Sequence, residues 1–333
     1  MRRAAATFVA CLSLALPATA LGQAPPPPAP PPPAPAPAPP APGAVSLKLE
    51  RVHRVGRDVV VLRGDRVRVR GLVKPFVAGQ SVTVRLYRGG KKLSAKAVTV
   101  KQIRGGATGG FVVSLKAGRS GSLTVRASHR ATEAQATMVS KASRLLVLTP
   151  RAAPGARGPL VRLLQNRLAG LHYSVPLSGS FDAATGRAFI AYRKVRGLSR
   201  VAYASSSVVR GLLAGKGAFK VRFPDHGKHV EADLSRQVLA LIEKGRVYRI
   251  YTTSSGTAST PTVLGRFRVY SKTPGTNAKG MVDSSYFIGG YAVHGYPSVP
   301  TFPASHGCLR VPIPNARSIF SWLRYGDRVD VYR

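Results

Sequence analysis

The sequence predicts a multidomain, mainly β fold: a β-sandwich over residues 44–148, a small three-helix unit over 150–215 and a mostly β C-terminal domain over 227–333. Three observations carry this. Apolar and polar residues alternate with a period of two from Val45 to about Leu148, as in strands with one wet face. The period then lengthens to that of a helix between Pro150 and Leu213, where apolar residues recur at three- and four-residue intervals. From Phe219 onward, short apolar runs separated by polar turns return, the pattern of a β-meander.

Ahead of these regions lie two segments with no core. Met1-Arg2-Arg3, an apolar run from Ala4 to Leu16 and Ala18-Thr19-Ala20 predict a cleavable secretory signal over 1–23. Its apolar core is thirteen residues, short of the roughly 20 a spanning helix needs, so membrane association is expected only through an uncleaved signal. Cys11 lies in this signal, and Phe8-Val9-Ala10 before it is a poor lipidation box. Residues 24–43 form a linker in which Ala24 to Pro42 are all Pro or Ala, with thirteen prolines in nineteen positions. Proline lacks the N–H of a helix or ladder, so this run is expected to be extended polyproline II, reaching up to ~60 Å at ~3.1 Å per residue. It serves as a stalk or as a tolerated low-complexity spacer.

About 290 residues follow the linker, room for two or three domains of ~100–150 residues. The chain carries 51 Lys+Arg against 12 Asp+Glu, a net charge of +39. Such a field draws polyanions. An exported chain without a groove-reading motif or basic helix excludes nucleic acid. Anionic wall polymers or acidic lipid surfaces are the expected partners, although the Ala, Arg, Gly and Val abundance of a GC-rich genome accounts for the same charge.

In the first folded region, Arg66-Val67-Arg68-Val69-Arg70, Ser81 to Leu86 and Ser122 to Ala127 alternate, and Gly89-Gly90 marks a hairpin. The pattern resembles the immunoglobulin-like modules of bacterial surface proteins. In the second region, Pro159 opens a helix carrying Leu160, Val161, Leu164 and Leu168. Asp182 caps a second with Ala188, Phe189, Tyr192 and Val195, closed by Gly197. Ser205 to Ser207 begin a third with Val208, Val209, Leu212 and Leu213. The run Val161 to Leu168, then Gly179-Ser180-Phe181-Asp182, Thr185 and Phe189 to Tyr192, resembles the three-helix peptidoglycan-binding module. Ser178-Gly179 stands where that module commonly has Asp-Gly. The resemblance implies glycan binding; a unit that only packs against its neighbour is the alternative.

In the third region, Val230 to Leu234, Val238 to Glu243, Val247 to Tyr251 and Gly265 to Val269 read as strands, and Pro314 to Leu323 as a helix. Cys308 is the one cysteine beyond the signal, so it has no intramolecular disulfide partner and is a candidate reactive thiol. A thiol attacks carbonyl carbon as thiolate and needs a base, an orienting group and donors for the oxyanion. His294, on the strand Tyr291-Ala292-Val293, is the candidate base, with Gly295 allowing close backbone approach. His306 is the alternative base. Gly307 leaves the backbone free to turn its N–H groups. His172, His226 and His229 sit in no motif, and no metal-ligand spacing joins any histidine; neither metal nor cofactor is expected.

Tyr291-Ala292-Val293-His294-Gly295 and Ser305-His306-Gly307-Cys308-Leu309-Arg310-Val311, with Thr260 to Phe267 upstream, resemble the L,D-transpeptidase catalytic domain over about 227–333. Ten residues separate His294 from Ser305, at the short end of the family's range, and Arg310 stands where many members have Asn. The resemblance implies a mostly β catalytic fold and a cysteine acyl-enzyme. The donor would be a peptidoglycan tetrapeptide stem, cut after its third residue with loss of D-Ala. The acyl group would pass to the side-chain amine of a diaminopimelate on a neighbouring stem. Cys308 would be the nucleophile and His294 the base. His306, Gly307 and Cys308 would line the oxyanion site, Ser305 and Arg310 would buttress the loop, and Arg310 would meet a substrate carboxylate. The family's thiolate is a target of carbapenems. Hydrolysis of stem peptides, or wall binding without catalysis, are the competing readings.

Overall fold

The computed structural model describes residues 38–333; the signal (1–23) and residues 24–37 of the expected linker lie outside the described residues. The first region is a stack of two sheets. Its strands are β1 (Ala44–Glu50), β2 (His53–Val55), β3 (Asp58–Leu62), β4 (Arg66–Lys74), β5 (Ser81–Arg88) and β6 (Lys91–Thr99). They continue with β7 (Lys101–Gln102), β8 (Gly109–Lys116), β9 (Gly121–His129), β10 (Met138–Val139) and β11 (Ser143–Leu148). One sheet runs β1-β4-β8-β7 and the other β2-β3-β11-β9-β5-β6, with β10 on β9. Val67, Val69 and Val73 of β4 meet Val82 and Val84 of β5 and Leu123 and Val125 of β9 in one apolar core. The alternation in the sequence is the alternation between this core and water. The β6 edge is exposed and carries Lys91, Lys92 and Lys96, charges that discourage pairing with another chain.

The helical unit contains α1 (Pro159–Gly170), α2 (Ala183–Val195) and α3 (Ser206–Leu213). Pro159 occupies the first turn of α1, and the Asp182 carboxylate accepts the Thr185 N–H at 2.7 Å to cap α2. The Ser178-Gly179 turn is held by the buried Gln165, whose Oε1 accepts the Gly179 N–H at 2.7 Å and whose Nε2 donates to Ser180 O and Thr185 Oγ1, both at 2.9 Å.

The C-terminal region has a five-stranded sheet, β14-β13-β12-β20-β15, built from β12 (His229–Asp233), β13 (Val238–Glu243), β14 (Arg246–Thr252), β15 (Gly265–Arg268) and β20 (Arg328–Tyr332). A four-stranded sheet, β16-β17-β18-β19, comprises β16 (Ser271–Thr276), β17 (Val282–Ile288), β18 (Tyr291–Tyr296) and β19 (Leu309–Pro312), with α4 (Ile313–Trp322) after it. Strand β13 explains how the regions join. Its residues Val238 to Ile242 are all buried. Val238, Ala240 and Ile242 pack with Leu164, Leu168, Phe189, Tyr192 and Leu212 of the helices. The alternate residues Leu239 and Leu241 pack with Val293, Leu309 and Val311 of the four-stranded sheet. A strand covered on both faces loses the apolar/polar alternation, which is why this one reads as a continuous apolar run.

Candidate active site

Strands β18 and β19 run parallel, with Val293 opposite Leu309, His294 opposite Arg310 and Gly295 opposite Val311. Side chains two apart on a strand share a face, so the odd-numbered apolar residues turn into the core. His294 and Arg310 turn the other way, and Cys308 lies one residue before β19. His294, Cys308, Arg310, Ser305 and His306 line one cleft of about 280 Å³ with Lys279, Met281, Gly290, Tyr291 and Tyr296.

His294 is 2% exposed. Its Nδ1 lies 2.9 Å from the Gly295 carbonyl, an arrangement that puts the proton on Nδ1 and leaves Nε2 as an acceptor. The Tyr296 ring stands edge-on to the imidazole at 5.7 Å. Burial, with Arg310 nearby as a lesser cause, holds His294 below the usual imidazole range, against the Gly295 carbonyl that favours its cation. Cys308 is half-buried, and burial pushes its thiol up, outweighing a main-chain hydrogen bond from Ala292 and the charges of Arg310 and Lys279. Burial thus favours the neutral form of each: an imidazole at His294 and, in the same cleft, a thiol at Cys308 whose Sγ lies 3.8 Å from the Gly290 carbonyl.

Glycines permit this geometry at two positions. Gly307 has φ +107, and a side chain there would run into the Tyr291 ring. At Gly295 a Cβ would stand 2.7 Å from Ala316 Cβ and 3.2 Å from Ile313 Cα, so the close backbone approach is to α4. Ser305 Oγ donates to the Cys308 carbonyl at 2.6 Å and accepts the Gly307 N–H at 3.1 Å. The Gly307 N–H, expected at an oxyanion site, is thus turned onto Ser305. Arg310 Nη1 donates to Ala304 O at 3.0 Å, and its guanidinium lies 4.1 Å from the Tyr296 ring centre. His306 is exposed at the rim. Among the described residues, no group of three or more His, Cys, Asp and Glu side chains is placed to hold a metal ion. The buried His229 faces Glu231 at 3.3 Å, and His226 faces Asp330 at 2.9 Å, away from the cleft.

The catalytic-domain model of the L,D-transpeptidase (YkuD) family matches residues 227–331. Among solved structures, an L,D-transpeptidase from Xylanimonas cellulosilytica is 35% identical with a TM-score of 0.51, and the match covers 56% of this chain and 98% of that one. The chain belongs to the L,D-transpeptidase family. The likeness to the Xylanimonas structure takes in more of the chain than the 227–331 stretch alone. An L,D-transpeptidase from Stackebrandtia nassauensis matches at 23% identity and a TM-score of 0.36, covering 56% of this chain and 96% of that one. No curated protein matches the chain. Of the motif residues by which the sequence resembles the family, His294, Ser305, His306, Cys308 and Arg310 line the cleft, while Leu309 turns into the core. Sequence reasoning missed Lys279, Met281 and Tyr296. Lys279 stands on the turn between β16 and β17, where Asn277 Oδ1 accepts the N–H groups of Lys279 and Met281 at 3.0 Å. Only strand pairing brings that turn to the cleft, and no local signal marks it.

Proposed function

We propose that the protein is an exported L,D-transpeptidase that joins peptidoglycan stem peptides through a Cys308 acyl-enzyme. The observation that carries this reading is His294, buried in the same cleft as Cys308, with Nδ1 tied to Gly295 and Nε2 left as the acceptor. His294 Nε2 takes the thiol proton as Sγ attacks the carbonyl of the third residue of a tetrapeptide donor. The N–H groups of His306 and Cys308, flanking the Gly307 N–H that Ser305 occupies, stabilise the tetrahedral oxyanion. Collapse breaks the amide, and His294 returns the proton to the departing D-Ala amine. A diaminopimelate side-chain amine of a second stem then attacks the thioester, loses its proton through His294, and the thiol re-forms.

Lys279 and Arg310 give the cleft two cations and no acidic lining residue, which suits peptides bearing free carboxylates. The helical unit is proposed to hold glycan, and the excess positive charge to hold the enzyme among anionic wall polymers. Incubation with purified tetrapeptide stems tests the reading. The expected product is a cross-linked dimer lighter by one D-Ala, absent with Cys308→Ser. Tripeptide alone would mean that water resolves the acyl-enzyme, and unchanged stems would overturn the reading.

A further inference from the structure

Lys194, near the end of α2, is 1% exposed and faces the five-stranded sheet. Its ammonium donates to Gln237 O at 3.0 Å, Thr252 Oγ1 at 2.6 Å and Thr253 O at 2.9 Å. All three N–H groups are used, and every acceptor belongs to the C-terminal region. From these acceptors the hydrogen bonds continue to the cleft. Thr253 Oγ1 donates to Arg310 O at 2.7 Å, and Ser254 and Arg310 exchange main-chain bonds at 3.0 Å. The Gln237 side chain binds Ser255 N–H at 2.9 Å and Ser255 Oγ at 2.7 Å. The Ser255 carbonyl then accepts the N–H groups of Ala304 at 2.8 Å and Ser305 at 2.9 Å. Ser305 Oγ in turn holds both Gly307 N–H and Cys308 O.

We propose that Lys194 is a positioning residue: from the helical unit it fixes segment 252–255, and through that segment the loop and strand that carry Cys308 and Arg310. The claim rests on the acyl-enzyme reading for its chemistry. Packing alone does not call for a lysine here. Burial, with Arg200 nearby as the lesser cause, lowers the ammonium to about 7, and an apolar side chain of like volume would avoid that desolvation. An ammonium, however, supplies three donors and no acceptor, matching three converging oxygens. Arg200, from the same unit, adds a bond from Nη1 to Thr301 O at 2.5 Å, on the loop that leads to Ser305.

The test uses the full chain with Lys194→Met, Thr253→Val and the pair combined, each checked for folding by circular dichroism. Carbapenem acylation of Cys308 is followed by intact mass, thiol access by iodoacetamide, and main-chain order by hydrogen exchange. Loop displacement on the order of 1 Å costs about 100-fold in a positioned reaction. Lys194→Met is therefore expected to slow acylation at least about tenfold, in the maximal rate rather than the half-saturating concentration. Iodoacetamide should react within about twofold of the parent, and the amides of Ser254 and Arg310 should exchange faster. Because Lys194 acts through Thr253, the combined variant should fall well short of the product of the two losses. Acylation within about twofold of the parent, or losses that simply multiply, would overturn the proposal. If Lys194→Met does not fold, Thr252→Val keeps the lysine and removes its shortest bond; a parental rate in that variant overturns it equally. Should the parent itself resist acylation, the acyl-enzyme reading fails, and unchanged exchange at Ser254 and Arg310 in Lys194→Met still decides against the positioning claim.

Discussion

His294 binds the Gly295 carbonyl through Nδ1, and both members of the proposed pair are shifted toward their neutral forms. A preformed thiolate–imidazolium pair would need the opposite shifts. The proposed chemistry is then proton transfer during attack, and its pH dependence follows. Neutral His294 is the working form, so acylation should rise with pH through a midpoint below the ordinary histidine value of ~6.5 and be lost below it. Above about 7, where Lys194 gives up its third donor, the rate should not climb further. Acylation rates measured from pH 5 to 9 check this. A single rise beginning above ~8.5 and incomplete at pH 9 would mean that the free thiolate, its pKa pushed up by burial, is the reactant.

On the scale of elements, α2 serves two neighbours. Phe189 is fully buried, stacks on Phe181 at 5.1 Å and shares a core with Val238 and Ala240 of β13. Phe189→Ala should cost about 3–5 kcal/mol in chemical denaturation, and the melting of the helices and of the C-terminal sheet should shift together. Independent melting of the two would contradict the shared core. The strands of the sandwich were legible because one face is wet, and the helices because Pro159, Asp182 and Ser205 announce their starts. The double cover of β13 was not, since an apolar run states burial without naming its partner. At the cleft, Cys308 and His294 were legible from the motif around them. Lys279 and Lys194 reach their places only through tertiary pairing, and a lysine in sequence looks like solvated surface.

For the whole molecule, the helical unit and the C-terminal four-stranded sheet pack on opposite faces of β13. The charge of +39 is the basis of the proposed retention among polyanions. The central claim is a covalent intermediate on Cys308 whose formation needs His294. A carbapenem tests it most directly, because its strained amide yields a stable acyl adduct in place of the transient one. Intact-protein mass spectrometry should show one added drug mass, mapped to the fragment containing Cys308, and His294→Ala should slow its appearance by at least about 100-fold. An unmodified parent protein whose Cys308 still reacts with small alkylating agents would contradict the claim.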